Sequence, residues 1–151
     1  MSEHRADLHW SRTSSDFRYD AYNRDHELRF KNGSVTVRGS AAPEFKGDGK
    51  SPDPEELFVG SLSACHMLTF LAIASRKRLM IDSYDDHAEG FLEKSANGTF
   101  LITRVVLRPS VRFSSDAHVD TKTLEEMHRL AHEGCFIANS VTTNVSVEPQ
   151  A

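Results

Sequence analysis

The segment from Pro54 to about Arg76 restricts the possible folds of this chain more than any other. It has a clear helix start. Asp53 can cap, Pro54 suits the first helical position, and Glu56, three residues after the cap, completes a capping box. No internal proline follows, and the residues are apolar around almost the whole circumference. A helix that is apolar all round has to be buried on all sides. One sheet in a chain of 151 residues seldom wraps such a helix completely. The sequence therefore predicts a partner subunit.

The remaining pattern predicts strands and one further helix. Asp7 to Ser11 alternates weakly. His26 to Phe30 and Ser34 to Arg38 flank Lys31-Asn32-Gly33, where Asn-Gly suits the positive φ angles of a tight hairpin turn. Leu28 and Phe30 can then share a face with Val35 and Val37. Gly39 to Ser51 is a long loop of the kind that tends to be functional or mobile. Asp82 to Glu93 and Thr99 to Phe113 read as two long strands joined at Ser95-Ala96-Asn97-Gly98, with Pro109 marking a bulge or an edge. Thr121 to Glu133 is an amphipathic helix with Leu124, Met127, Leu130 and Ala131 on its buried stripe and Gly134 as its stop. A final strand carries Val141, Thr143, Val145 and Val147 at period two. The order predicts a single α+β domain spanning residues 1–151.

Composition narrows the function classes. A formal charge of −4 and a pI near 6.0 argue against a nucleic-acid partner, which favours a basic protein. The only basic cluster, Arg76-Lys77-Arg78, follows a helix, where cations complement the dipole. The first twenty residues are polar and charged, unlike a signal peptide, and no uninterrupted apolar run reaches the ~18 residues of a membrane span. These features predict a cytoplasmic protein without a membrane partner. Its two cysteines would then be reduced, and either catalytic or buried, rather than permanently bridged.

Cys65 and Cys135 are the only cysteines, seventy residues apart. Cys65 lies within the apolar run Leu57 to Leu71, which predicts a thiol held in a core, while Cys135 directly follows Gly134, where the backbone can move. Thiol chemistry with an attacking and a resolving cysteine needs such a division of labour. A nucleophilic thiol also needs a nearby cation, and no Lys or Arg lies within a helical turn of Cys65. Arg18 and Arg24, between the first two strands, are the best-placed suppliers by topology. Glu55 is left free by the capping pattern and can orient an arginine. It stands ten residues from Cys65, about 15 Å along one helix, so a site using both needs a second copy of the helix or a long arginine. A competing reading places zinc on His128 and His132, at i and i+4, with Glu125 one turn earlier and Cys135 just after. His66 adjoins Cys65 but points about 100° away around the helix, which disfavours it as a base for that thiol.

Pro54-Glu55-Glu56-Leu57-Phe58 followed by Ser63-Ala64-Cys65, with a distant Cys135 after a second helix, resembles the OsmC/Ohr family of hydroperoxide-reducing proteins. His9-Trp10 and the segment from Ala131 to Ser140 look like its OsmC-like subgroup. The resemblance implies an intertwined homodimer whose sheets wrap paired central helices, with the site at the dimer interface. It also implies that Cys65 is the peroxidatic cysteine, Cys135 the resolving one, and Glu55 the carboxylate that orients a catalytic arginine. For that arginine, spacing from Trp10 suggests Arg18, and the subgroup's pattern in Tyr22-Asn23-Arg24-Asp25-His26 suggests Arg24, which is narrowly preferred. The implied activity is reduction of organic hydroperoxides through a Cys65 sulfenic acid and a Cys65–Cys135 disulfide, reset by an external dithiol, with no cofactor and no metal. The alternative is a dimeric module of the same fold that binds a small ligand without peroxidase activity.

Overall fold

The computed structural model describes residues 1–150. The chain forms two compact units, Met1–Leu57 and Phe58–Ala151.

In the first unit, strands β1 (Asp7–His9), β2 (His26–Phe30) and β3 (Val35–Gly39) make one antiparallel sheet in that order. Leu28 pairs with Val37 and Phe30 with Val35, the register that the alternation predicts. The turn is wider than a tight Asn-Gly turn. Phe30 and Val35 flank it, and Lys31, Asn32 and Gly33 all take positive φ, at 52°, 54° and 85°. The loop expected to be functional or mobile is tied down. The Ser40 N–H donates to the Pro52 carbonyl at 3.0 Å, and the Asp48 carboxylate accepts from the N–H groups of Lys50 and Ser51. The capping box forms as predicted: the Glu56 N–H donates to Asp53 Oδ1 at 2.7 Å and the Asp53 N–H to Glu56 Oε2 at 3.1 Å.

Helix α1 runs from Pro54 to Arg76. In the second unit it meets β4 (Ile81–Asp86), β5 (Glu89–Lys94), β6 (Phe100–Leu107), β7 (Pro109–Phe113), α2 (Thr121–Glu133) and β8 (Asn144–Val147). The two long strands read from the sequence are in fact four. One breaks at His87-Ala88 and the other at Arg108, so the hairpin divides between a β4-β7 sheet and a β5-β6-β8 sheet, with β8 parallel to β6. The break has a physical cause. Pro109 has no N–H for the ladder, and opposite it Asp86 turns its carboxylate to accept the Arg108 N–H at 2.6 Å and the Ser63 hydroxyl at 2.5 Å. Asp86 thereby pins the corner of the sheets to α1.

Every fourth residue of α1 is buried, namely Leu62, His66, Phe70 and Ala74. Leu62 packs with Val105 and Leu107 on the β5-β6-β8 sheet, and Phe70 and Ala74 pack with Met127 and Ala131 of α2. Backbone contact is close at β5, where a Cβ on Gly90 would lie 2.4 Å from Val59 Cγ2. On the opposite face of α1, Gly60, Ser61, Ala64, Leu68 and Ala72 are exposed, Leu68 by 63%. By length and composition α1 matches a membrane span. Its buried stripe, however, belongs to the core of this unit and includes a histidine. Helix α2 is amphipathic as expected, capped by Asp120, which accepts the Thr123 N–H at 2.7 Å. Its buried face is Met127, His128 and Ala131, so His128 joins the core.

Candidate active site

The fold brings the two cysteines together. Both are free thiols, and Cys65 stands close enough to Cys135 to help raise its pKa. Cys135 is pushed up to about 11, first by burial and then by the neighbouring Cys65 thiol, with the Ala138 and Ile137 N–H groups pulling the other way. The Ala138 N–H donates to the Cys135 sulfur at 3.4 Å. Gly134 eases the approach: a Cβ there would stand 3.1 Å from Thr69 Cγ2 on α1, a tight contact between the end of α2 and the helix carrying Cys65.

The burial of the two thiols is the reverse of the sequence reading. Cys65 is half-buried, because it is rotated off the stripe that Leu62 and His66 occupy, and Cys135 is only 1% exposed. The chain around Cys135 is anchored as well. Its carbonyl accepts the Asn139 N–H at 3.0 Å, and Ile137 and Ala138 pack against the core of Leu62, Val105 and Leu107. A single helix-stopping glycine marks where a helix ends, and the packing of the residues after it decides whether they move.

Beside the thiols on α1 and α2 lies a buried pair that sequence reasoning assigned elsewhere. His66 Nε2 and His128 Nδ1 share a hydrogen bond at 3.1 Å between rings that are nearly parallel, at 5°. Phe70 stacks on His128 with centroids 4.4 Å apart. Burial lowers both histidines to about 4, so both are neutral at pH 7. Among the described residues the far nitrogens, His66 Nδ1 and His128 Nε2, have no hydrogen-bond partner, nor does His132 Nδ1. The zinc reading finds no support in the arrangement: among the described residues no group of three or more His, Cys, Asp or Glu side chains is placed to hold a metal ion. His128, its central ligand, spends Nδ1 on His66 instead. The spacing of His128, Met127 and Ala131 could have signalled a core histidine, since all three fall on one helix face.

The three other site residues from the sequence belong to the first unit. Glu55 is half-buried in the first turn of α1. Arg18 pairs with Asp16 at 2.5 Å and is largely exposed. Arg24 lies over the ring of Tyr22 at 3.7 Å and that of Tyr19 at 4.9 Å, and donates to the carbonyls of both residues. Asn23 organises the same loop. It accepts the Thr13 N–H at 2.9 Å, donates to the Ser11 carbonyl at 3.0 Å, and offers its own carbonyl to the Trp10 indole at 2.8 Å. The resemblance singled out Tyr22-Asn23-Arg24 for its arginine, and in the fold all three residues shape the loop.

The model of the OsmC-like protein family matches residues 47–150. The chain belongs to the OsmC family. Its mixed α+β architecture is that of an OsmC-like protein of unknown function from Vibrio cholerae, with 44% identity, a TM-score of 0.94, and coverage of 99% of this chain and 100% of that one. The organic hydroperoxide resistance protein OhrB of Bacillus subtilis shares the fold at 19% identity, with a TM-score of 0.68 and coverage of 97% of this chain and 98% of that one. An uncharacterized protein, YmaD, of Bacillus subtilis strain 168 is 25% identical over 130 residues, 85% of this chain and 86% of its own length. The fold is therefore shared both with a hydroperoxide resistance protein and with an OsmC-like protein of unknown function.

Proposed function

We propose that this OsmC-family protein is a thiol-dependent peroxidase for organic hydroperoxides. One observation carries the reading: cysteines seventy residues apart in sequence are neighbours in the fold, on a helix and on the turn that packs against it. Two free thiols in contact can hold a sulfenic acid and resolve it. The Cys65 thiolate attacks one peroxide oxygen, the O–O bond breaks, and an alcohol leaves once its oxygen takes up a proton. Cys135 then condenses with the Cys65 sulfenic acid and releases water. A dithiol supplies two electrons to restore both thiols. Exposed Leu68 and Phe136 give the surroundings an apolar character that suits alkyl peroxides. One equivalent of an organic hydroperoxide should therefore remove both free thiols and leave the chain as a monomer on a non-reducing gel. Loss of one thiol alone, with Cys135 still free to alkylate, would remove Cys135 from the mechanism.

On this reading the working form is a homodimer, in a cytoplasmic setting, with residues 1–151 acting as one OsmC-like domain. The support is the exposed apolar face of α1, together with a three-stranded first-unit sheet on which Leu8 and Val35 are exposed by 68% and 47%. Apolar surface left in water costs roughly 25 cal/mol per Å², so a face of ~800 Å² favours association strongly. We assign to Glu55 and Arg24, or Arg18, the stabilisation of the Cys65 thiolate across that interface. Sedimentation should find a dimer at micromolar concentration. Co-refolding a Cys65→Ser chain with a Glu55→Ala chain should restore part of the activity. A folded monomer would overturn the assembly.

The small-ligand-binding module is favoured by one specific observation, that Arg24 is held by the carbonyls and rings of its own loop. Alkylation of Cys65 against pH separates the two readings. A midpoint near the ordinary ~8.5 favours the binding module, and a clearly lower one the peroxidase.

A further inference from the structure

We infer that the external thiol which reduces the oxidised protein attacks the sulfur of Cys65, and that Cys135 is the leaving thiolate. The inference rests on the proposed disulfide and adds which of its two sulfurs meets the reductant. Thiol–disulfide exchange needs the attacking sulfur to reach one member of the bond while the other departs. Cys65 is only half-buried, whereas Cys135 is 1% exposed. The residues after Cys135 block approach to it, since Ile137 and Ala138 are packed in the core with Leu62, Val105 and Leu107. Burial raises the pKa of Cys135 and works against its departure, and the same residues offset part of that cost. The Ala138 N–H already donates to its sulfur at 3.4 Å, and the Ile137 N–H also favours the charged form.

The electrons balance as follows. A reductant thiolate forms a bond to Cys65 Sγ, the Cys65–Cys135 bond breaks, and its electron pair goes to Cys135 Sγ. Buried, and with its pKa pushed up to about 11, Cys135 takes up a proton at neutral pH. It then closes again on the mixed disulfide only slowly, because a neutral thiol is a poorer nucleophile than a thiolate. The second thiol of the reductant attacks its own bound sulfur and releases Cys65, and the reductant departs as a disulfide.

The test uses the full chain and no peroxide. Diamide forms the Cys65–Cys135 disulfide, a single equivalent of 2-mercaptoethanol opens it with no second thiol of its own to release the adduct, iodoacetamide blocks the freed thiol, and peptide masses locate each group. The mercaptoethanol adduct should sit on Cys65 and the alkyl group on Cys135, by about tenfold or more over the reverse. An adduct mainly on Cys135, or an even partition, would overturn this inference alone. Failure of diamide to form any disulfide within the chain would overturn it together with the resolving role of Cys135.

Discussion

Replacing Cys65 by serine is expected to slow consumption of an organic hydroperoxide, assayed with a dithiol reductant, by about a thousandfold or more. Serine keeps the size of the side chain on α1 but exchanges a polarizable thiolate for a hydroxyl that does not ionise near neutral pH. Cys135 cannot take over. It is 1% exposed, its proton is held up to about pH 11, and its backbone is fixed between the end of α2 and the core. Cys135→Ser should behave differently, reacting once with peroxide and then resting as a sulfenic acid that a dienophile or dimedone-type reagent labels. Because Cys65 lies off the buried stripe of α1, neither its packing nor the unfolding midpoint should change much. Equal peroxide consumption by wild type and Cys65→Ser would remove the enzyme reading altogether.

Stability should fall between pH 6.5 and pH 4, before the carboxylates titrate. Burial lowers His66 and His128 from 6.5 to about 4 in the folded chain, whereas in the unfolded chain each returns to its ordinary value. Over that window the unfolded state therefore binds more protons, and stability falls with pH, being fully present only above about 6.5. The groups facing His66 are His128, His132 and Asp86, and only Asp86 favours its charged form. Each histidine costs about 1.4 kcal/mol per pH unit, or about 3 kcal/mol by pH 4, a large part of the stability of a small domain. The carboxylates of Asp16, Glu27, Asp48, Asp120 and Glu126 are held below their usual range by hydrogen bonds, so their contribution is lost at lower pH still. Denaturant midpoints at pH 7 and pH 4.5 decide the point. A flat midpoint would mean that the pair is not buried and neutral, and the double variant His66→Leu, His128→Phe should flatten the slope.

The elements were legible wherever local physics governs them. The Asp53–Glu56 box, the α1 segment, the Leu28–Val37 register and the α2 stripe follow from capping chemistry and from the periods of helix and strand, which act over a few residues. The likeness to the OsmC family came instead from the motif carrying Glu55 and Cys65, which resembles that family's own. The breaks at His87-Ala88 and Arg108 were not legible, because the cause is a carboxylate on one strand reaching the backbone of another and the hydroxyl of Ser63 on α1. Burial of the thiols was misjudged on similar grounds. An apolar neighbourhood in sequence does not say which side of α1 faces the core, and a one-residue step turns a side chain about 100° around a helix.

By itself, the sequence determined that a long apolar helix must be covered, that two cysteines and a free glutamate are available for chemistry, and that the strands and helices alternate as an α+β chain. Tertiary structure alone decided that Cys65 meets Cys135, that Gly134 eases the approach, that His66 and His128 share a proton in the core, and that Arg24 is held by its own loop. The division has one physical reason. Periodicity and capping are set by neighbours in the chain, while acidity, reach and burial are set by neighbours in space, and those come from packing that residues far apart in sequence complete together.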